Sequence, residues 1–199
     1  QTEVTLEEVL GSPPIAKPLN LLHACPLADG GAAVILCRRD RLPAGSTPVF
    51  VAASVLTSGT YGYEYGGGSS RVSTPGPIKL SAEQAYDQAG CGPEEMDVAE
   101  LYDTMAPSEL WDLEELGFCR KGEAAGLLKD GAFDLGGRLP VNTDGGLLSR
   151  GHPLGATGLA QVIEVFQQIT GRAGPRQVPN VKTGMAHAMG AGPNSSVII

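Results

Sequence analysis

The chain has 199 residues, 42% of them hydrophobic, which is enough to bury one sizeable core in a single domain. Its 14 basic and 22 acidic residues leave a net charge of −8, the wrong sign for gathering phosphates, so DNA and RNA are excluded as partners. No apolar run approaches the roughly 20 residues a bilayer crossing requires, and no basic head with a hydrophobic stretch behind it opens the chain. A soluble, cytosolic protein is the default expectation. The four cysteines, Cys25, Cys37, Cys91 and Cys119, form no CxxC pair. They read as reduced, scattered thiols, with neither a disulfide framework nor a structural metal.

In chain order, TLEEVLG predicts a short helix: Thr5 caps the amide of Glu8, the Glu8 carboxylate reaches back, and Gly11 ends the turn. SPPIAKPL forces extended chain. GGAAVILC (30–37) and PVFVAASVLT (48–57) are continuous apolar runs rich in β-formers, the pattern of strands covered on both faces in the middle of a sheet. Residues 58–77 carry glycine, serine, tyrosine and proline without periodicity and read as a long surface loop. Its tyrosines Tyr61, Tyr63 and Tyr65 either line a ligand groove or simply pack on the surface. SAEQAYDQAG (81–90) predicts a helix with a Ser81–Gln84 capping box and Gly90 as its left-handed stop.

DVAELYD (97–103) reads as a strand, and PSELWDLEEL (107–116) as a helix with Pro107 in its first turn and Gly117 closing it. Residues 118–141, interrupted by five glycines, read mainly as loop. From Gly158 onward Leu159, Val162, Ile163, Phe166 and Ile169 fall on one face of the most strongly periodic helix of the chain. NSSVII closes as a strand. Strands alternating with helices define an α/β layered fold with a partly parallel sheet covered by helices.

The chemistry concentrates in NTDGGLLSRGHPLGATG (142–158). Glycines at 151, 155 and 158 let the backbone turn tightly, and Pro153 fixes the chain directly after His152. The imidazole is therefore held just ahead of a helix start, where unpaired amides and the dipole favour a developing negative charge. An oxygen becoming an oxyanion is stabilised in such a place. The plain alternative is a structural histidine in a tight turn.

Together with VAELYDTMAPSEL about fifty residues earlier, CPLADGGAAVIL, and HAMGAG near the end, this stretch resembles the C-terminal domain of the thiolase superfamily. The similarity runs from about residue 24 to 199. It is greatest to sterol-carrier-protein thiolases and to bacterial lipid-transfer-protein thiolases and aldolases. The resemblance implies a thiolase-like C-terminal half, a layered mixed sheet with helices on both faces. Residues 1–23 then form a connecting loop and short helix arriving from an N-terminal half, and 24–199 the domain itself. Opening at Gln1 rather than methionine adds to the expectation that this sequence is a fragment.

The resemblance also assigns roles. His152 takes the place of the Gly-His-Pro histidine that helps form an oxyanion hole around the thioester oxygen of an acyl-coenzyme A, with Gly151 and Pro153 beside it. Tyr102-Asp103-Thr104-Met105 matches the family's Asn-Glu-Ala-Phe or His-Asp-Cys-Phe motif, so Thr104 stands where the sterol-carrier branch has a cysteine. Ala188-Met189-Gly190 matches the Cys-x-Gly loop, again without the cysteine, while Gly190 and Gly192 still offer backbone amides. Threonine cannot replace a thiolate base. Tyrosine, near pKa 10, can act where its surroundings assist it. Steroid side-chain aldolases of the superfamily resemble this pattern, lacking the cysteines and using tyrosine for retro-aldol cleavage, although they carry tyrosine where this chain keeps histidine. Tyr102 is thus the candidate acid/base, and Asp103 orients its neighbours.

The substrate implied is a 3-oxoacyl- or 3-hydroxyacyl-coenzyme A, lipid- or sterol-derived, with no covalently bound cofactor. The resemblance further implies a homodimer of the full-length protein and allows a small partner with an OB-fold and a zinc ribbon. The alternative reading is a non-catalytic acyl-coenzyme A binding or scaffold subunit that has kept the fold and lost the chemistry.

Overall fold

The computed structural model describes residues 3–59, 76–190 and 194–199. The glycine- and tyrosine-rich stretch with Tyr61, Tyr63 and Tyr65, and Gly192, lie outside the described residues.

The first elements are local. Helix α1 (Leu6–Gly11) starts at the expected capping box, Thr5 accepting from the Glu8 amide and Glu8 from the Thr5 amide. Strands β1 (Pro14–Ala16) and β2 (Leu19–Asn20) pair with each other only. The main sheet is built from β3 (Ser54–Ser58), β4 (Val98–Glu100), β5 (Gly184–Gly190) and β6 (Asn194–Ile198), in the order β3-β6-β5-β4. Only β4 and β5 run parallel; the other pairs are antiparallel. Around it stand α2 (Pro77–Ala89), α3 (Ala106–Glu115), α4 (Ala124–Lys129), α5 (Gly146–Arg150) and α6 (Thr157–Ile169).

Strand β5 separates the two helix layers, because successive side chains of a strand point to opposite faces. On one face, Gly184 leaves no room for a side chain against Val165 of α6, and a methyl on Gly158 of α6 would sit 3.9 Å from the Ala188 Cβ. On the other face, Met185 and Met189 join the main core with Ala82 and Ala85 of α2 and Leu113 of α3. Leu101, Leu113 and Leu116 are completely buried there, and each such side chain contributes on the order of 2 kcal/mol.

Three expectations need correction. Residues 30–37 form no strand: Ile35 is 96% and Leu36 78% exposed. Of the 48–57 run only Ser54 onward is a strand, and β3 lies at an edge, not in the middle. Apolar periodicity reports that a segment seeks cover without reporting where the cover comes from, and among the described residues β3 has a ladder partner on one side only. The helix expected at 81–90 begins four residues earlier at Pro77, whose fixed φ suits a first turn. Ser81 therefore sits inside the helix and donates to the Ile78 carbonyl. Gly90 does stop the helix, at φ 70°. Residues 118–141 are mainly turns and loop, as expected, with the short helix α4 among them.

Helix α6 carries a finding that the sequence pattern did not contain. Its limits and periodicity agree with expectation, yet the buried side chains are Thr157, Gln161, Glu164, Val165 and Gln168, while Leu159 and Phe166 are each 37% exposed. Hydrogen bonding decides this orientation. Gln161 Nε2 donates to the Leu101 and His187 carbonyls, and Glu164, Gln168, Thr143 and Arg176 form one further polar cluster. Buried polar groups tolerate burial only when paired in this way. Leu159 and Phe166 are left turned outward, while Val162, Ile163 and Ile169 are half-buried.

Candidate active site

Strand β4 delivers the first site segment. Beyond Glu100 the chain leaves the sheet, held by the Leu101 amide donating to Asn142 Oδ1, and carries Tyr102 and Asp103 forward before α3 begins. The second segment leaves α5 at Gly151, whose φ of 85° favours glycine. A side chain at Gly151 would also meet the Ala28 Cβ at 2.8 Å. Residues 24–28 run between the two segments. The Cys25 amide donates to the Thr104 carbonyl and the His152 amide to the Pro26 carbonyl, with β-bridges Ala24–Met105 and Leu27–His152. Part of the CPLADGG stretch is therefore a spacer that sets the separation of Tyr102 and His152.

That separation is a hydrogen bond. Tyr102 Oη lies 2.9 Å from His152 Nε2, with the rings edge-on and their centroids 5.2 Å apart. On the far side of the imidazole, Nδ1 lies 2.7 Å from Thr157 Oγ1, and the Thr157 hydroxyl donates to the Pro153 carbonyl at 3.0 Å. Burial first, and the charge of Arg150 second, hold His152 below the ordinary imidazole range. The shift favours the neutral ring, which the contacts on its two nitrogens orient. Two amides expected to be unpaired at the start of α6, those of Ala156 and Thr157, both donate to the Pro153 carbonyl.

Asp103 does not touch the imidazole in this arrangement. Its carboxylate accepts from the amides of Leu147 (2.7 Å) and Leu148 (3.2 Å), capping α5 from a distance in sequence. Burial pushes its pKa up to about 6, against the pull of those two amides and of Arg150. It thereby ties the Tyr102 segment to α5, the helix that leads into Gly151 and His152. Glu109 on α3, which sequence reasoning missed, is pushed up to about 7 by burial and by the charge of Asp103, opposed by the Asn142 side chain. Only its position one turn into the helix after the Tyr-Asp motif hinted at it.

Cys25 is the thiol nearest this site in the fold. Burial and then the charge of Asp103 raise its pKa above the ordinary thiol value, so it is not an activated thiolate standing in for the cysteines absent at 104 and 188. The third segment, Ala188-Met189-Gly190, ends β5; Ala188 backs onto Gly158 of α6, and Gly190 is exposed and pairs with Asn194. Pro153 is partly buried, and Gly30 packs on it so closely that a side chain there would meet its ring at 3.0 Å.

Fold and site define a class first: an α/β domain that brings a tyrosine and a glycine-framed histidine into direct contact where a β-strand ends and a helix begins. The chain belongs to the thiolase C-terminal domain-like family, whose model matches residues 68–199. It is 41% identical over 189 residues to the acetyl-CoA acetyltransferase of Methanothermobacter thermautotrophicus, covering 94% of this chain and 49% of that protein. It is 36% identical over 198 residues to sterol carrier protein 2 of Rattus norvegicus, covering 96% of this chain and 36% of that one. Among solved structures, an Ltp2-ChsH2(DUF35) aldolase superposes with a TM-score of 0.77 at 27% identity, over 98% of this chain and 51% of that chain. The chain thus spans about half the length of the acetyltransferase and the aldolase it matches.

Proposed function

We propose that this chain is the C-terminal half of an enzyme that makes or breaks the carbon–carbon bond β to a coenzyme A thioester, acting on a 3-hydroxyacyl-coenzyme A of lipid or sterol origin by aldol chemistry. The observation that carries the reading is the 2.9 Å contact between Tyr102 Oη and His152 Nε2. A phenol is too weak an acid to act alone at neutral pH, and a neutral imidazole at hydrogen-bond distance is the partner that makes its proton transferable. The two missing cysteines point the same way, since thiolysis needs a thiolate-generating base that Thr104 and Ala188 do not supply.

The steps balance. Tyr102 passes its phenol proton to His152 Nε2, and the phenolate takes the proton of the substrate's 3-hydroxyl. The C2–C3 bond breaks, its electron pair moves into the thioester enolate, and C3 becomes a carbonyl. The proton held on Nε2 stabilises the enolate oxygen and is then delivered to C2, leaving an acyl-coenzyme A shorter by the departing carbonyl compound. His152 serves as the oxyanion donor only after it has accepted the Tyr102 proton. Asp103 and Gly151 keep the imidazole in place, and the amides of Gly190 and Gly192 are assigned to the substrate side.

The exposed Leu159 and Phe166 of α6 and the exposed 30–37 run support a half that packs against a preceding half and, in the full-length protein, against a second copy. A DUF35 partner belongs to the solved aldolase by its name. An OB-fold and zinc-ribbon partner is our proposal for this protein on that ground.

The deciding assay offers the full-length protein a 3-hydroxyacyl-coenzyme A alone and, separately, a 3-oxoacyl-coenzyme A with free coenzyme A. Cleavage of only the first is expected. Cleavage of only the second would establish thiolysis instead. Binding of acyl-coenzyme A by calorimetry with turnover of neither would establish the scaffold subunit.

A further inference from the structure

The proposed chemistry needs His152 Nε2 to be a proton acceptor in the resting enzyme, and the ring alone does not decide this. A neutral imidazole carries its one hydrogen on either nitrogen, and the hydrogen bond made by the other nitrogen selects between them. Here that bond is to Thr157 Oγ1.

Thr157 has a single hydroxyl hydrogen. Its oxygen lies 3.0 Å from the Pro153 carbonyl, which has no hydrogen to give and can only accept. With the hydroxyl hydrogen pointing at Pro153, the oxygen turns lone pairs toward the ring. We infer that Thr157 is a positioning residue that fixes the hydrogen of His152 on Nδ1, leaving Nε2 bare to accept from Tyr102. The chain of donors is then consistent from end to end: Tyr102 Oη–H to Nε2, Nδ1–H to Thr157 Oγ1, Thr157 Oγ1–H to the Pro153 carbonyl. Each group donates once, and no hydrogen is shared.

The fold gives Thr157 little freedom to do otherwise. It is almost completely buried as the first residue of α6, and its own amide also donates to Pro153. The turn after His152 therefore forms a closed loop in which Pro153 anchors Thr157 and Thr157 anchors the imidazole. When Nε2 accepts a proton, Nδ1–H keeps its partner, so the imidazolium forms without rearrangement of the ring.

This inference rests on the proposed aldol reading for its catalytic meaning, and the experiment separates the two. In the full-length protein with 15N-labelled histidine, the His152 signals, assigned by their loss in His152→Asn, report which nitrogen carries the hydrogen. The wild type is expected to show hydrogen on Nδ1, and Thr157→Val to move it wholly or partly to Nε2. In parallel, kcat of Thr157→Val is expected to fall on the order of 10–100-fold, the scale of losing the group that orients a reacting ligand, with KM nearly unchanged; Thr157→Ser keeps the hydroxyl and restores most of it. A wild type with hydrogen on Nε2, or a Thr157→Val protein with the wild-type signals, overturns the inference. The wild-type measurement needs no variant to fold. Tyr102→Phe tests the layer beneath: full activity in that variant beside an Nδ1–H wild type would remove the aldol reading and leave the tautomer assignment standing.

Discussion

His152 and His187 each have a side-chain oxygen within 3.3 Å of each ring nitrogen, but the partners and the access differ. His187 is completely buried, with Ser195 Oγ 3.1 Å from Nε2 and Asp112 Oδ2 3.3 Å from Nδ1. Ser195 in turn meets Ser81 Oγ at 2.7 Å, and Ser81 donates to the Ile78 carbonyl. An aspartate, a histidine and a serine in a row suggest hydrolytic chemistry, but the Asp112 contact lacks hydrogen-bond geometry and every member is sealed from solvent. Among the described residues, the His152 ring meets a threonine and a tyrosine and no carboxylate. Its tyrosine is partly exposed. The comparison teaches that residue types in sequence order do not make a site: His187 ties α2, β6 and α3 to the sheet, whereas His152 is held against a tyrosine that stays partly exposed.

The largest effect that tests this division is on turnover. His152→Ala in the full-length enzyme is expected to lower kcat by about 10²–10³, the scale for loss of one group that stabilises the transition state, with little change in melting temperature; steady-state kinetics beside a thermal melt checks both. His187→Ala should do the reverse. It leaves a cavity and takes one partner from Ser195, costing about 2–4 kcal/mol in denaturant titrations, while kcat per folded molecule stays within about threefold.

Gly151→Ala falls between the two. The left-handed φ and the 2.8 Å approach to Ala28 predict a loss of about 1–3 kcal/mol together with a measurable fall in kcat, because the strain lies one residue before the imidazole. Wild-type kcat in this variant would show that the turn is not what positions His152.

The smallest effect is on the pH dependence of stability. The folded pKa of Glu109 is raised to about 7 from an ordinary value of 4.5, so the native state binds the proton more tightly. Its cost is absent below the unfolded value and grows as pH rises through the folded one. Glu109→Gln should therefore be more stable than wild type by about 1–2 kcal/mol at pH 8, and the difference should vanish below pH 4.5 in urea titrations. Asp103, raised to about 6, changes stability in the same direction over a lower window.

Much of the local structure was legible because its causes are local. The Thr5–Glu8 capping box, the left-handed stop at Gly90, proline in the first turn of α3 and the 3.6-residue period of α6 each depend on a few neighbouring residues, and each formed where the residues required it. The Gly-His-Pro turn, with its lone histidine between glycines and ahead of a helix, was visible for the same reason, and so was membership of the thiolase superfamily through its three motifs. What the sequence left open were long-range matters. Residues 30–37 are apolar, but composition cannot say which surface covers them. The apolar stripe of α6 does not reveal that Gln161 and Gln168 are buried, because they find carbonyl and hydroxyl partners that only the assembled sheet provides. Asp103 reads as a neighbour of Tyr102 until the fold brings α5 beneath it, 44 residues away along the chain. The Tyr102–His152–Thr157 chain joins residues 50 positions apart. Hydrogen bonds of that kind are set by the packing of β4 against β5 and of residues 24–28 between the two motifs, so the tertiary structure alone decided which nitrogen faces the phenol.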